Sequence, residues 1–70
     1  MAVVKVIELV GTSSEGWKEA AHNAVAEAAK TVRNMVGLEV MGQTGVVEGR
    51  KIVEYRSNVK VAFVVEEVRG

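Results

Sequence analysis

The sequence predicts an α+β fold: one domain over residues 1–70, in β-α-β-β order. A three-stranded antiparallel sheet, ordered 1-3-2, wraps on one long helix. Three observations predict it. Only the stretch from Trp17 to Met35 repeats its apolar residues at three- and four-residue steps. Three other stretches are rich in valine and isoleucine, as strands are. Glycine-containing turns separate these segments, and neither an internal repeat nor a linker interrupts them.

The first strand is Val3-Val4-Lys5-Val6-Ile7-Glu8-Leu9-Val10, nearly continuous in its apolar character. Lys5 and Glu8 fall on opposite faces of a strand, so both faces stay mostly apolar. The outer one therefore calls for another subunit to cover it.

Gly11-Thr12-Ser13-Ser14 leads into the helix, with Thr12 or Ser13 as its cap. Thr12 and Glu15 have capping-box spacing. The helix is expected to run to about Val36. Trp17, Ala20, Ala21, Ala24, Ala28, Thr31, Val32 and Met35 form its apolar face, mostly alanine, which lets a sheet approach closely. Lys18, Glu19, Asn23, Glu27, Lys30 and Asn34 form the polar face. Gly37 is the expected terminator, in the left-handed position glycine favours.

Leu38 begins a second strand that continues towards Val47, with Gly42 and Gly45 marking bulges, bends or close contacts. Glu48-Gly49-Arg50-Lys51 supplies a turn. The third strand, Ile52 to Val65, alternates most clearly. Val53, Tyr55, Ser57, Val59, Val61, Phe63 and Val65 share the face expected against the helix. Ile52, Glu54, Arg56, Asn58, Lys60, Ala62 and Val64 share the other, which faces solvent or the interior of an assembly. Glu66 to Gly70 reads as a polar tail. Strands two and three form a hairpin, and the helix returns the chain so that strand one runs antiparallel to strand three.

Seventy residues bury only about 60% of their unfolded surface, so such a core needs reinforcement. There is no cysteine, and a single histidine cannot make an imidazole zinc site. With 49% apolar residues, self-association is the remaining route. Nine basic and nine acidic residues cancel, so no positive field gathers nucleic acid. No apolar run approaches the roughly 20 residues of a membrane span, and Met1 to Lys5 lacks the pattern of a signal peptide. A cytoplasmic protein is expected, without nucleic-acid or membrane partners.

The sequence carries no nucleophile elbow, Walker loop or dinucleotide fingerprint, so it does not read as an enzyme. His22 reads as helix surface or interface. The Gly11–Ser14 turn, able in principle to hold an anion, reads as an ordinary capped turn. Trp17 reads as core or subunit contact. Glu8, Glu39 and Glu54 are candidate oxygen ligands for a hard cation, where symmetry gathers copies of them. The plainer reading of each is a solvated or paired carboxylate.

Over nearly its whole length the chain resembles the dodecin family. The likeness is carried by Lys5-Val6-Ile7-Glu8-Leu9-Val10-Gly11-Thr12-Ser13-Ser14, Ala20-Ala21 and Lys30-Thr31-Val32-Arg33. Glu39-Val40, Glu54-Tyr55 and Val59-Lys60-Val61-Ala62-Phe63 complete it. The resemblance implies a three-stranded sheet wrapped partly around one helix, and a hollow, spherical homododecamer of tetrahedral symmetry. It implies flavins, riboflavin or its phosphate forms such as FMN, bound in pairs at subunit contacts and stored rather than turned over.

Two departures bear on that function. The family's flavin binders place a stacking tryptophan just before the second strand, where this chain has Gly37. They place a glutamine on the third strand, where this chain has Arg56, which offers donors only. Losing the stacking surface removes on the order of 1–3 kcal/mol per stack. With Trp17 in the helix, this pattern is similar to a branch described as calcium-binding. The implied function is a non-enzymatic homododecamer that sequesters or buffers a small ligand or metal cation, its usual flavin site lost. The alternative is a flavin store with a rearranged pocket, in which Arg56 holds a phosphate or stacks through its guanidinium.

Overall fold

The computed structural model describes residues 3–65. The elements are β1 (Val3–Ser13), α1 (Trp17–Ala28), β2 (Met35–Glu48) and β3 (Lys51–Val65). The strands form one antiparallel sheet in the order β1-β3-β2, as the sequence predicts. The polar tail expected over Glu66 to Gly70 lies outside the described residues.

The helix lies over β1 and β3 and barely touches β2. Its alanines Ala20, Ala24 and Ala28 are buried against the sheet, with Val59 and Val61 of β3 beneath them. Ile7 and Leu9 of β1 flank that core. Contact is closest at Gly11, where an added Cβ would lie 1.9 Å from the Ala20 carbonyl oxygen and 2.9 Å from Ala24 Cβ. The alanine stripe and this one glycine together set the helix directly on β1. Buried Ser57 donates its hydroxyl to the Trp17 carbonyl at 2.8 Å, fastening the first turn to β3.

The helix is shorter than its periodicity predicts. It ends at Ala28 rather than near Val36, so Thr31, Val32 and Met35 leave its apolar face. The backbone tightens there, with Lys30 and Thr31 donating to carbonyls only three residues back. Two forces account for the early stop. Thr31 and Val32 are β-branched and lose rotamer freedom in a helix. The extended chain that follows gains sheet pairing: Val64 donates to the Asn34 carbonyl at 3.0 Å, and Met35 pairs with Phe63. Asn34, with φ 62°, makes the left-handed turn expected of Gly37. Gly37 lies inside β2 and terminates nothing.

The capping box also fails to form. Thr12 and Ser13 belong to β1, paired with Arg56 and Tyr55, so the helix begins at an N-cap of Gly16 with no side-chain bond. Ser13 Oγ instead accepts the Glu15 N–H at 3.0 Å, a local turn before the helix. Sheet pairing extends β1 past the residues that would have capped α1.

Between β2 and β3 the chain reverses at Gly49-Arg50, where Gly49 takes φ 65° as two-residue hairpins require. The register shifts at three places: Met35/Gly37, Val40/Gly42 and Val46/Val47. A bulge thus falls at Gly42, as expected. Gly45 is a close contact instead: a Cβ there would sit 3.3 Å from Ile52 Cγ2 and 3.9 Å from Trp17 Cζ2. This contact puts Ile52 on the helix side, against the simple alternation that assigns it to the outer face. The last register shift explains the change, because a one-residue slip reverses which face a side chain meets.

Candidate ligand face and helix-side groove

The residues singled out in the sequence fall on the outer face of the sheet, away from the helix. They can be read rung by rung from the register. Thr12 of β1 and Thr44 of β2 flank Arg56 of β3. Val10 and Gly42 flank Asn58, and Glu8 and Glu39 flank Lys60. Val6 and Gly37 flank Ala62. Directly opposed side chains on neighbouring strands start about 5 Å apart at Cβ, so each rung is a small cluster.

Arg56 is held along its own strand. Its Nε donates to Glu54 Oε2 at 2.6 Å, and both side chains are partly exposed. Glu54 therefore orients the guanidinium, and the Nη groups take no part in that bond. Gly37 lies opposite Ala62, six residues along β3 from Arg56, or roughly 20 Å. An added Cβ at Gly37 would meet only Ala62 Cβ, at 3.8 Å. One chain alone does not join these two positions into a pocket.

The three candidate carboxylates divide in the same way. Glu8 and Glu39 share a rung, with the Lys60 ammonium on the strand between them. Glu54 stands six residues away on β3, bound to Arg56. Among the described residues no three acidic, histidine or cysteine side chains gather closely enough to hold a metal ion. Across the stripe three carboxylates meet two cations, which leaves the face one negative charge per chain.

Asn58 was not singled out in the sequence. Its Oδ1 is buried and has no hydrogen-bond partner. Such an acceptor costs about 1–3 kcal/mol when left unpaired. The available signal was compositional: asparagine is poorly suited to a strand and stands among β-branched residues.

Exposed valines border this polar stripe. Val4, Val6 and Val10 of β1 are 56%, 55% and 58% exposed in the single chain. The opposite side of the sheet carries a second feature. Because α1 leaves β2 uncovered, a groove of about 400 Å3 runs between them, walled by Trp17, Ala21 and Val25 on one side and Leu38 and Val40 on the other. Trp17 closes one end. Its Nε1 donates to the Thr44 carbonyl at 2.9 Å, and its ring meets Tyr55 edge-on at 4.7 Å between centroids. The expected core role for Trp17 is thus half met, since it packs on Tyr55 yet keeps part of its surface open. His22 is exposed on the groove's rim, as expected of helix surface. The turn expected over Gly11–Ser14 is not formed, because Gly11, Thr12 and Ser13 lie in β1, and the first turn of α1 carries Glu19, which opposes the positive end of the helix dipole.

Comparison with known proteins places this geometry in a family. The family model described as Dodecin matches residues 3–66. A dodecin from Thermus thermophilus is 40% identical over 65 residues, covering 93% of this chain and 94% of that protein. A calcium dodecin from Mycobacterium tuberculosis is 35% identical over 63 residues, covering 90% and 89%. A crystallised mutant of Thermus thermophilus dodecin superposes with a TM-score of 0.91 at 39% identity, covering 96% of this chain and all of that one. The chain belongs to the dodecin family.

Proposed function

We propose that this chain is a non-catalytic dodecin subunit that assembles into a homododecamer and sequesters a small ligand or divalent cation, calcium in the first instance, rather than flavin. One observation carries the reading: Arg56, which the resemblance sets where the family's flavin binders have a glutamine, is tied to Glu54 at 2.6 Å. A guanidinium so engaged cannot accept a hydrogen bond from a flavin ring edge. Gly37 supplies no stacking surface on the partner position. The net negative outer stripe favours a cation, and symmetry would multiply each single carboxylate into a ring. Likeness to a calcium dodecin supports the same choice. The exposed valines of β1 support burial between subunits. No described helix is long and apolar enough to cross a membrane.

Two titrations of the purified assembly test this. Riboflavin fluorescence is expected to show no stoichiometric quenching at sub-micromolar protein. Equilibrium dialysis against calcium is expected to show saturable uptake that Glu8→Gln or Glu39→Gln lowers. Stoichiometric quenching by riboflavin overturns the reading.

A second reading keeps flavin, because the Arg56 Nη groups are not used by Glu54 and suit a phosphate. It predicts tighter binding of FMN than of riboflavin, and gain of riboflavin binding in the double variant Gly37→Trp, Arg56→Gln.

A further inference from the structure

We propose that the groove between α1 and β2 binds a small anionic amphiphile: an extended apolar body with one carboxylate head. The groove lies on the helix side of the sheet. The exposed valines Val4, Val6 and Val10 lie on the opposite side.

The shape comes from the offset of the helix. Ala20, Ala24 and Ala28 sit on β1 and β3, so the next ridge of the helix, Trp17, Ala21 and Val25, turns towards β2. From Trp17 to Val25 this ridge is about 12 Å long at the helical rise, which matches an extended alkyl chain of medium length. Leu38 and Val40, 46% and 48% exposed, form the facing wall. A cavity near 400 Å3 with apolar walls lies within the range that binds small molecules.

The charge pattern selects the head group. Lys18 and His22 are one helical turn apart on the solvent rim, four residues being the spacing that aligns side chains. Gln43 stands at the β2 edge near the Trp17 end. Among the described residues no carboxylate lines the groove. This contrasts with the outer stripe, which is net negative. The indole N–H is already spent on the Thr44 carbonyl, so Trp17 offers its apolar surface to a ligand.

Trp17 is the only tryptophan, so emission of the intact assembly reports on the groove directly. Decanoate, kept below its micelle concentration, is expected to change that emission saturably. Decanol should bind about tenfold more weakly, the worth of one charge-assisted contact. The double variant Lys18→Gln, His22→Gln should bring decanoate to the level of decanol and leave decanol unchanged. Both side chains are exposed, so folding is expected to survive. If the variant fails to assemble, the wild-type comparison of decanoate with decanol decides alone. Three results overturn the proposal: no saturable change, equal binding of acid and alcohol, or a Trp17 shielded from acrylamide in the assembly. The last would mean that a second copy fills the groove.

Discussion

The two faces of the sheet are built on opposite rules. The helix side is made of small residues brought into direct contact: Gly11 under Ala20 and Ala24, with Val59 and Val61 beside them. The outer side keeps a polar stripe along β3 and leaves Val4, Val6 and Val10 more than half exposed. The helix side is complete within the chain where α1 covers β1 and β3, whereas its β2 margin and the whole outer face are left partly open. Substitutions on the two faces should therefore separate stability of the fold from stability of the proposed assembly.

The largest effect is expected at Gly11. A Cβ there would approach a backbone oxygen to 1.9 Å, and neither β1 nor α1 can yield without losing the alanine packing. Gly11→Ala should cost about 3 kcal/mol or more, and Gly11→Val should prevent folding, both read by circular dichroism and urea denaturation. Wild-type stability in Gly11→Ala would mean that the helix is not seated on β1.

Next comes Val6→Lys. Val6 is 55% exposed and opposes Ala62 on the outer face, so the single chain loses little. If subunits cover this face, each copy forfeits roughly 1–1.5 kcal/mol of burial, about half the full value for a valine, and gains an unpaired charge. Sedimentation velocity should then show smaller species, with circular dichroism unchanged. An intact oligomer with unaltered melting would remove β1 from the interface.

What the sequence made legible follows the same division. Strand order, the alanine stripe and the inner set Ser57, Val59 and Val61 all follow from periodicity, because they are satisfied within one chain. The helix boundary is not legible that way. Thr31, Val32 and Met35 keep helical spacing, but pairing of Met35 with Phe63 outweighs it. The capping box at Thr12 yields to sheet pairing for the same reason. Ile52 is misassigned by simple alternation because a bulge leaves no mark in composition. At the candidate site, the sequence offers Gly37 and Arg56 only as expected departures, through a resemblance. Their separation along β3 and the Glu54–Arg56 bond emerge only from the register and the side-chain geometry.

The smallest expected effects come from two neighbours on β3, Ser57 and Asn58, which face opposite sides. Ser57 is fully buried and its hydroxyl is satisfied by the Trp17 carbonyl at 2.8 Å. Ser57→Ala removes one hydrogen bond and leaves an acceptor that the helix already uses, so a loss of about 1 kcal/mol is expected. Asn58 carries a buried Oδ1 with no partner, between Val10 and Gly42. Asn58→Val exchanges that orphan for an apolar group suited to a strand, so the isolated fold should gain up to about 1 kcal/mol. The pair reads the outer face directly. If Asn58→Val stabilises the chain and leaves assembly and calcium uptake unchanged, the amide has no partner from outside the chain. If it melts the oligomer earlier or lowers calcium uptake while Ser57→Ala does neither, Oδ1 meets its partner across a subunit boundary. The orphaned acceptor would then belong to the face that the chain leaves unfinished.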